Sequence, residues 1–204
     1  FAEKQGIYTY SVKEEKRNPL HHQGDGHYDF FAMNVLLQKA AICLIITLNQ
    51  KPDIIHCHDG HTALIPPMIR EIEGFRHYFQ NSGVVVTIHN AGLGYHHEIL
   101  DLEFARTISG LPASLINANL LDLKFDPFLA ASSYAVMNTV SENYARELRE
   151  TDADELTGGL GHTFLKRGIT LEGVTNGIDP KDFDLTAFKD LGLACSFVPG
   201  AVTS

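Results

Sequence analysis

The sequence has no cysteine pattern, no basic stretch and no long apolar run, and each absence closes off a class of protein. Its three cysteines, Cys43, Cys57 and Cys195, are odd in number and share no short spacing. That argues against a disulfide scaffold and a zinc ribbon, which need paired or closely spaced thiols. Cys43 and Cys57 lie within apolar runs, where a reduced cysteine behaves as a small hydrophobe. Positive charge is scarce: 16 Lys and Arg against 25 Asp and Glu leave a formal net charge of −9. Even the densest basic group, Lys13, Lys16 and Arg17, is interrupted by Glu14 and Glu15. Neutralising a nucleic-acid backbone draws on clustered cations, so no nucleic-acid partner is expected. The longest apolar run, residues 40–48, is far below the roughly 20 residues of a membrane helix, so no membrane partner is expected. No signal peptide, repeat or low-complexity segment is visible. The chain begins at Phe1, without an initiator methionine or a recognisable domain start, so the domain is expected to be incomplete at its beginning.

What is present suits a soluble globular domain. The 204 residues are 44% hydrophobic and 20% charged, enough for one domain with a real core but not for two large ones. Residues 6–10 (Gly-Ile-Tyr-Thr-Tyr) read as a strand, followed by a polar loop through Gly26. That loop carries His21, His22 and His27 beside Asp25, but their spacing fits no common ligand template and a solvated loop is the better reading. Asp29 can cap a helix over residues 30–48 that is apolar on nearly every face, which predicts a largely buried helix. Lys51-Pro52 ends it, and residues 53–57 read as a short buried strand. A helix follows over residues 62–74, with Pro66 and Pro67 marking a start or a kink there.

Residues 84–88 form the plainest strand, four of the five being β-branched aliphatics, closed by His89-Asn90. Residues 92–126 are ambiguous apart from a turn at Gly110-Leu111-Pro112. Residues 135–140 are another strand, and Ser141 is a good N-cap for a helix to Glu150. Residues 158–161 open a short helix or turn, and residues 172–175 are a last strand before Asn176-Gly177. Strand–helix alternation of this kind means a parallel sheet with helices on both faces: the class is α/β, doubly wound. Such sheets bind ligands at the carboxyl ends of their strands. Three of those ends carry unusual residues: His56-Cys57-His58-Asp59-Gly60-His61, then His89-Asn90-Ala91-Gly92, then Thr139-Val140-Ser141.

These elements, in this order, resemble the N-terminal catalytic domain of bacterial glycogen and starch synthases. That family carries His-x-His-Asp-x-His after one strand, Thr-[IV]-His-Asn after the next, Thr-Val-Ser-x-x-Tyr-Ala-Arg-Glu opening a later helix, and a closing Asn-Gly-[IV]-Asp. Here they read His56 to His61, Thr87-Ile88-His89-Asn90, Thr139 to Glu147 and Asn176-Gly177-Ile178-Asp179. The resemblance covers roughly residues 6–179. It implies one half of a GT-B architecture, a Rossmann-like doubly wound sheet facing a second such domain across a cleft. By the same resemblance, residues 1–180 are the N-terminal catalytic domain and residues 181–204 a C-terminal segment or the start of an interdomain linker. The implied reaction moves glucose from a nucleotide sugar to an α-1,4-glucan with retention, in the cytoplasm. ADP-glucose is the expected donor and UDP-glucose the alternative, a choice made in a C-terminal domain expected in the parent protein. No cofactor and no metal site are expected.

The sequence departs from the family in several places. The N-terminal Lys-x-Gly-Gly-Leu loop, which approaches the donor phosphates, is absent, and Gly158-Gly159-Leu160 has no lysine two places before it. Gly60 stands where the family often has an aromatic residue or glutamine. After His89-Asn90 the chain reads Ala91-Gly92-Leu93-Gly94-Tyr95-His96 instead of reaching Gln-Gly, and Phe128 to Ser133 replaces a lysine-containing helix. Residues 191–204 show no resemblance.

Glucosyl transfer develops positive charge on the sugar ring and negative charge on the leaving phosphate, and preorganised polar groups must meet both. His89 and Asp59, at strand tips, are the expected catalytic contacts. By resemblance His89 contacts the donor glucose near its hydroxyls, while the Asp59 carboxylate can bind sugar hydroxyls. Asn90, His61, His58 and Ser141 are the expected substrate-binding residues. Each has a plainer reading: Asp59 can cap the next helix, His58 can be structural, and turn and cap roles suit Asn90 and Ser141. A glycoside hydrolase would need a second carboxylate partner for Asp59, which the motifs do not supply. Two other classes stay open: a non-catalytic glucan-binding or regulatory module, and a metal-dependent enzyme using His56, His58 and His61.

Overall fold

A computed structural model describes residues 9–24, 27 and 29–179. The chain divides into a compact unit, Phe1–Val174, and a second, Thr175–Ser204. The first unit holds all the strands and helices described below. The motif Asn176-Gly177-Ile178-Asp179 falls in the second. The strand read at residues 6–10 lies mostly outside the described residues, as do Asp25, Cys195 and residues 181–204.

The stretch read as a polar loop contains a helix, α1 (Val12–Arg17). Ser11 and Glu14 form a capping box: each side chain satisfies the other residue's backbone N–H. Next comes α2 (Phe30–Thr47), preceded by Asp29 without a side-chain cap bond. Its burial corrects the sequence reading. Phe31, Ala32, Val35, Gln38 and Ile42 face the core, but Leu36, Leu37 and Leu44 are exposed. With 18 residues and a mean hydropathy of 1.8, α2 is by length and composition able to cross a membrane, which the shorter run at residues 40–48 did not suggest. Its inner stripe nonetheless belongs to the hydrophobic core. Gln38 is fully buried and satisfied: its amide donates to Asn34 O, and its Oε1 accepts from Leu64 N at 2.7 Å. That pair ties α2 to the turn before the next helix.

Strand β1 (Ile54–His58) leads through this turn into α3 (Ile65–Glu71), whose first positions hold both prolines, where a missing N–H costs nothing. The helix read as continuous over residues 62–74 breaks at Ile72 (φ −83°, ψ 118°) and resumes as α4 (Glu73–Tyr78). Strand β2 (Gly83–Ile88) follows. The ambiguous stretch folds as α5 (Leu102–Ser109), α6 (Ala113–Ala118) and a hairpin of β3 (Leu120–Leu121) and β4 (Lys124–Phe125). Gly110 closes α5 in the left-handed region (φ 77°). Then come α7 (Pro127–Ala131), β5 (Val136–Thr139), α8 (Glu142–Glu150), a 3₁₀ turn (Asp152–Thr157), α9 (Leu160–Lys166) and β6 (Leu171–Gly173).

The main sheet is parallel in the order β1-β2-β5-β6. Its register pairs His58 with Thr87 and Ile88 with Thr139, so the carboxyl ends of the three leading strands lie side by side. Val84, Val86 and Ile88, which alternate along β2 and so share one face of the sheet, are buried. Phe79, Phe125, Phe128 and Phe164 complete the core. Ladder bonds continue past the named strands, Asp59 N donating to Thr87 O and Val174 N to Thr139 O, and the Thr139 hydroxyl adds a side-chain bond to Ile88 O. The α/β parallel sheet expected from the sequence is therefore present, and it brings the three motif-bearing ends to one edge.

Candidate functional site

Beyond β1 the chain turns at Asp59, a non-glycine residue in the left-handed region (φ 58°). Asp tolerates this conformation better than most residues, yet such geometry persists only where neighbours enforce it. Here the enforcement is visible. The Asp59 carboxylate accepts the backbone N–H of His89 at 2.7 Å, linking the tips of β1 and β2. Asp59 is thus no side-chain cap for the following helix. Its backbone carbonyl receives Thr62 N, while Thr62 Oγ1 accepts the His58 amide at 2.7 Å.

The histidines on the β1 tip are ordered by the sheet. Thr87 Oγ1 donates to Asn138 Oδ1 at 2.7 Å, so its oxygen is left to accept from His56 Nε2, also at 2.7 Å. His56 therefore carries a proton on Nε2. His58 and His89 approach through Nδ1 and Nε2 at 3.0 Å, which needs a proton on one of the two nitrogens. Burial, then the charges His56 and His89 would carry, hold His58 below the usual histidine range, against the opposing pull of Asp59. His61 does not join this group. Its ring lies 4.0 Å from that of His97. Among the described residues no group of three or more potential ligands is placed to hold a metal. Burial pushes the Cys57 thiol up to about 12, so it stays protonated at neutral pH and is no nucleophile.

These tips open onto a cavity of about 900 Å³ lined by Asp59, His61, His89, Asn90, Tyr95, His97 and Glu98, with Phe30 and Leu93 among its apolar walls. Of the six residues expected from the sequence, the structure gathers Asp59, His61, His89 and Asn90 around this space. His58 sits beside His89, and Ser141 stands apart from the lining. The Ser141 hydroxyl accepts Tyr144 N at 3.0 Å as the N-cap of α8. Tyr144 in turn accepts Ala91 N at 3.0 Å through its hydroxyl, so the cap steadies the loop that walls the cavity.

That loop, residues 91–98, supplies the lining that sequence reasoning did not select. Its anchor is His96, wholly buried, whose two ring nitrogens face Asp126 Oδ2 at 2.6 Å and Ala91 O at 2.7 Å. Both partners accept, so both nitrogens carry protons and the ring is cationic. Burial alone would lower its pKa, but the Asp126 bond and charge and the Ala91 carbonyl outweigh burial and raise it. His97 goes the other way: burial and the neighbouring His61 push it down to about 4, so it is neutral.

With this geometry in hand, comparison with known proteins is direct. The starch synthase catalytic domain family matches residues 2–164. The chain belongs to that family. It is 32% identical over 203 residues to a glycogen synthase of Geotalea daltonii, covering 96% of this chain and 40% of that protein. A glycogen synthase of Lachnospira eligens is 32% identical over 149 residues, covering 72% of this chain and 30% of its own length. Among solved structures, the catalytic domain of starch synthase IV from Arabidopsis thaliana, bound to ADP and acarbose, superposes with a TM-score of 0.66 at 26% identity, covering 86% of this chain and 35% of that one. The sheet is thus part of a GT-B fold, and the chain spans about two fifths or less of the length of these relatives. The relatives it matches over this length are glycogen and starch synthases.

Proposed function

We propose that the cavity at the tips of β1 and β2 is the sugar-facing half of a glucosyltransferase site, in which glucose passes from ADP-glucose to an α-1,4-glucan with retention. One observation carries the reading: the Asp59 carboxylate clasps the His89 amide at the mouth of the cavity, fixing an anionic group and an imidazole side by side. The titratable groups lining the space are Asp59, Glu98, Tyr95 and four histidines, with no Lys or Arg among them. Fixed carboxylates favour positive charge as it develops on the sugar ring and disfavour a diphosphate. The phosphates of the donor are then met elsewhere, by the Lys-x-Gly-Gly-Leu loop and the C-terminal domain of a complete synthase. Residues 1–180 belong to the N-terminal catalytic domain, and residues 181–204 to a C-terminal segment or the start of an interdomain linker. His89 contacts the donor glucose, Asp59 and Asn90 bind sugar hydroxyls, and His61 contributes at the rim. His58 orients the His89 ring, and Ser141 acts at the edge of the site through α8. The reaction is cytoplasmic and needs no cofactor.

The test has two arms. A full-length enzyme containing this segment, supplied with ADP-glucose or UDP-glucose and glycogen primer, is expected to extend the primer by α-1,4 linkages, preferring ADP-glucose. The 204-residue chain alone is expected to extend nothing. Absence of transfer from either donor by the full-length enzyme, with glucan binding retained, would replace this reading by that of a glucan-binding module.

A further inference from the structure

Gly60 has a physical reason to be glycine. A Cβ built there would collide with the His96 carbonyl oxygen and stand 2.6 Å from that of Tyr95, both backbone atoms, so the loop itself would have to shift. Loop 91–98 therefore occupies the space that a side chain at position 60 would fill. The loop is held there at several points: by the buried His96 between Asp126 and Ala91, by Tyr144 on Ala91, and by Leu93 N donating to Leu156 O. What it presents to the cavity is Tyr95, 53% exposed, on the rim shared with Asp59, His61 and Asn90.

An exposed aromatic face beside hydroxyl-binding polar groups is the combination a sugar ring requires. Its C–H face packs on the apolar ring while its hydroxyls reach the carboxylate, amide and imidazoles. We propose that Tyr95 is the aromatic platform on which a glucose unit of the glucan stacks, and that Gly60 is glycine so that this loop can close against β1 and carry the ring. The inference rests on the glucan reading of the cavity given above. Tyr95 is a specificity-determining residue: it selects a pyranose ring with an apolar face, and it acts through binding.

Calorimetric titration of the 204-residue chain with maltoheptaose tests it. The unaltered chain is expected to bind. Tyr95→Ala should weaken binding at least tenfold, while Tyr95→Phe, which keeps the face, should stay within twofold. Leu165→Ala, an exposed apolar change on α9, should leave affinity unaltered. Because Tyr95 is half exposed, thermal melting of Tyr95→Ala should remain close to that of the parent chain. Unaltered affinity in Tyr95→Ala, with binding by the parent chain intact, would overturn the platform and leave the glucan reading standing. A parent chain that binds no maltooligosaccharide would overturn both.

Discussion

Replacing Asp126 by alanine should be among the most damaging single changes in this domain, although Asp126 does not line the cavity. Its carboxylate does two jobs: Oδ2 holds the wholly buried His96, and Oδ1 accepts Leu129 N at 2.9 Å as the N-cap of α7. Removing one partner of a buried pair leaves an uncompensated charge and typically costs about 3–5 kcal/mol, whereas a lost cap costs about 1. These terms overlap, so about 3–5 kcal/mol is expected in all, a large share of the roughly 5–15 kcal/mol that stabilises a domain. The chain has no tryptophan, so urea unfolding is best followed by far-ultraviolet circular dichroism. The pH dependence gives the mechanism away. The folded-state pKa of His96 is raised, so its contribution is complete below the unfolded value of about 6.5 and lost as pH rises through the folded value. The stability gap between the parent chain and Asp126→Ala should therefore narrow at alkaline pH. A loss below about 1 kcal/mol, or a gap indifferent to pH, would refute the cationic reading of His96.

Three further outcomes follow from the same geometry. His97, held near 4 by burial and His61, stays neutral when folded; its unfolded form takes up a proton as pH falls through about 6.5, so stability should drop by about 2–3 kcal/mol between pH 6.5 and 4, and His97→Phe should flatten that slope in acid-titration melts. Gly60→Ala should displace loop 91–98, costing about 1–3 kcal/mol by urea unfolding and weakening maltoheptaose binding; an alanine chain as stable and as tight-binding as the parent would show that the loop does not need its glycine. Ser141→Ala removes the α8 cap and should cost about 1 kcal/mol, with glycine recovering most of it, and a neutral alanine would show the cap to be idle.

Much of the framework was legible in the chain. The β-branched run ending at Ile88 reads as a buried strand, Ser141 before an amphipathic segment carries the signal of the cap that it forms, and strand alternation directs the search to the edge of the sheet where the cavity opens. What escaped had two causes. One was local and readable: Ser11 and Glu14 carry a capping-box spacing that marks α1 inside a stretch taken for loop. The other was long-range. Nothing near Gly60 announces that His96, 36 positions later, lies against it, nor that His96 pairs with Asp126 a further 30 residues on. Hence Tyr95, His97 and Glu98 went unselected, although the doubled histidine was a signal. The outer face of α2 escaped for a related reason. Its all-round apolar composition predicted burial, but composition cannot say which neighbours a helix meets, and Leu36, Leu37 and Leu44 meet none that cover them among the described residues.

The central claim is that His89 and Asp59 act on the sugar rather than merely hold the strand tips together. It is tested most directly by measuring turnover and melting temperature on the same preparations of a full-length enzyme carrying His89→Ala or Asp59→Asn. Asparagine can still accept the His89 amide, so Asp59→Asn removes charge while preserving the clasp. One preorganised polar contact is worth roughly 2.7–4 kcal/mol in the transition state, so each variant should lose about a hundred- to a thousandfold in kcat while melting near the parent temperature. A His89→Ala enzyme that is both stable and fully active would contradict the assignment.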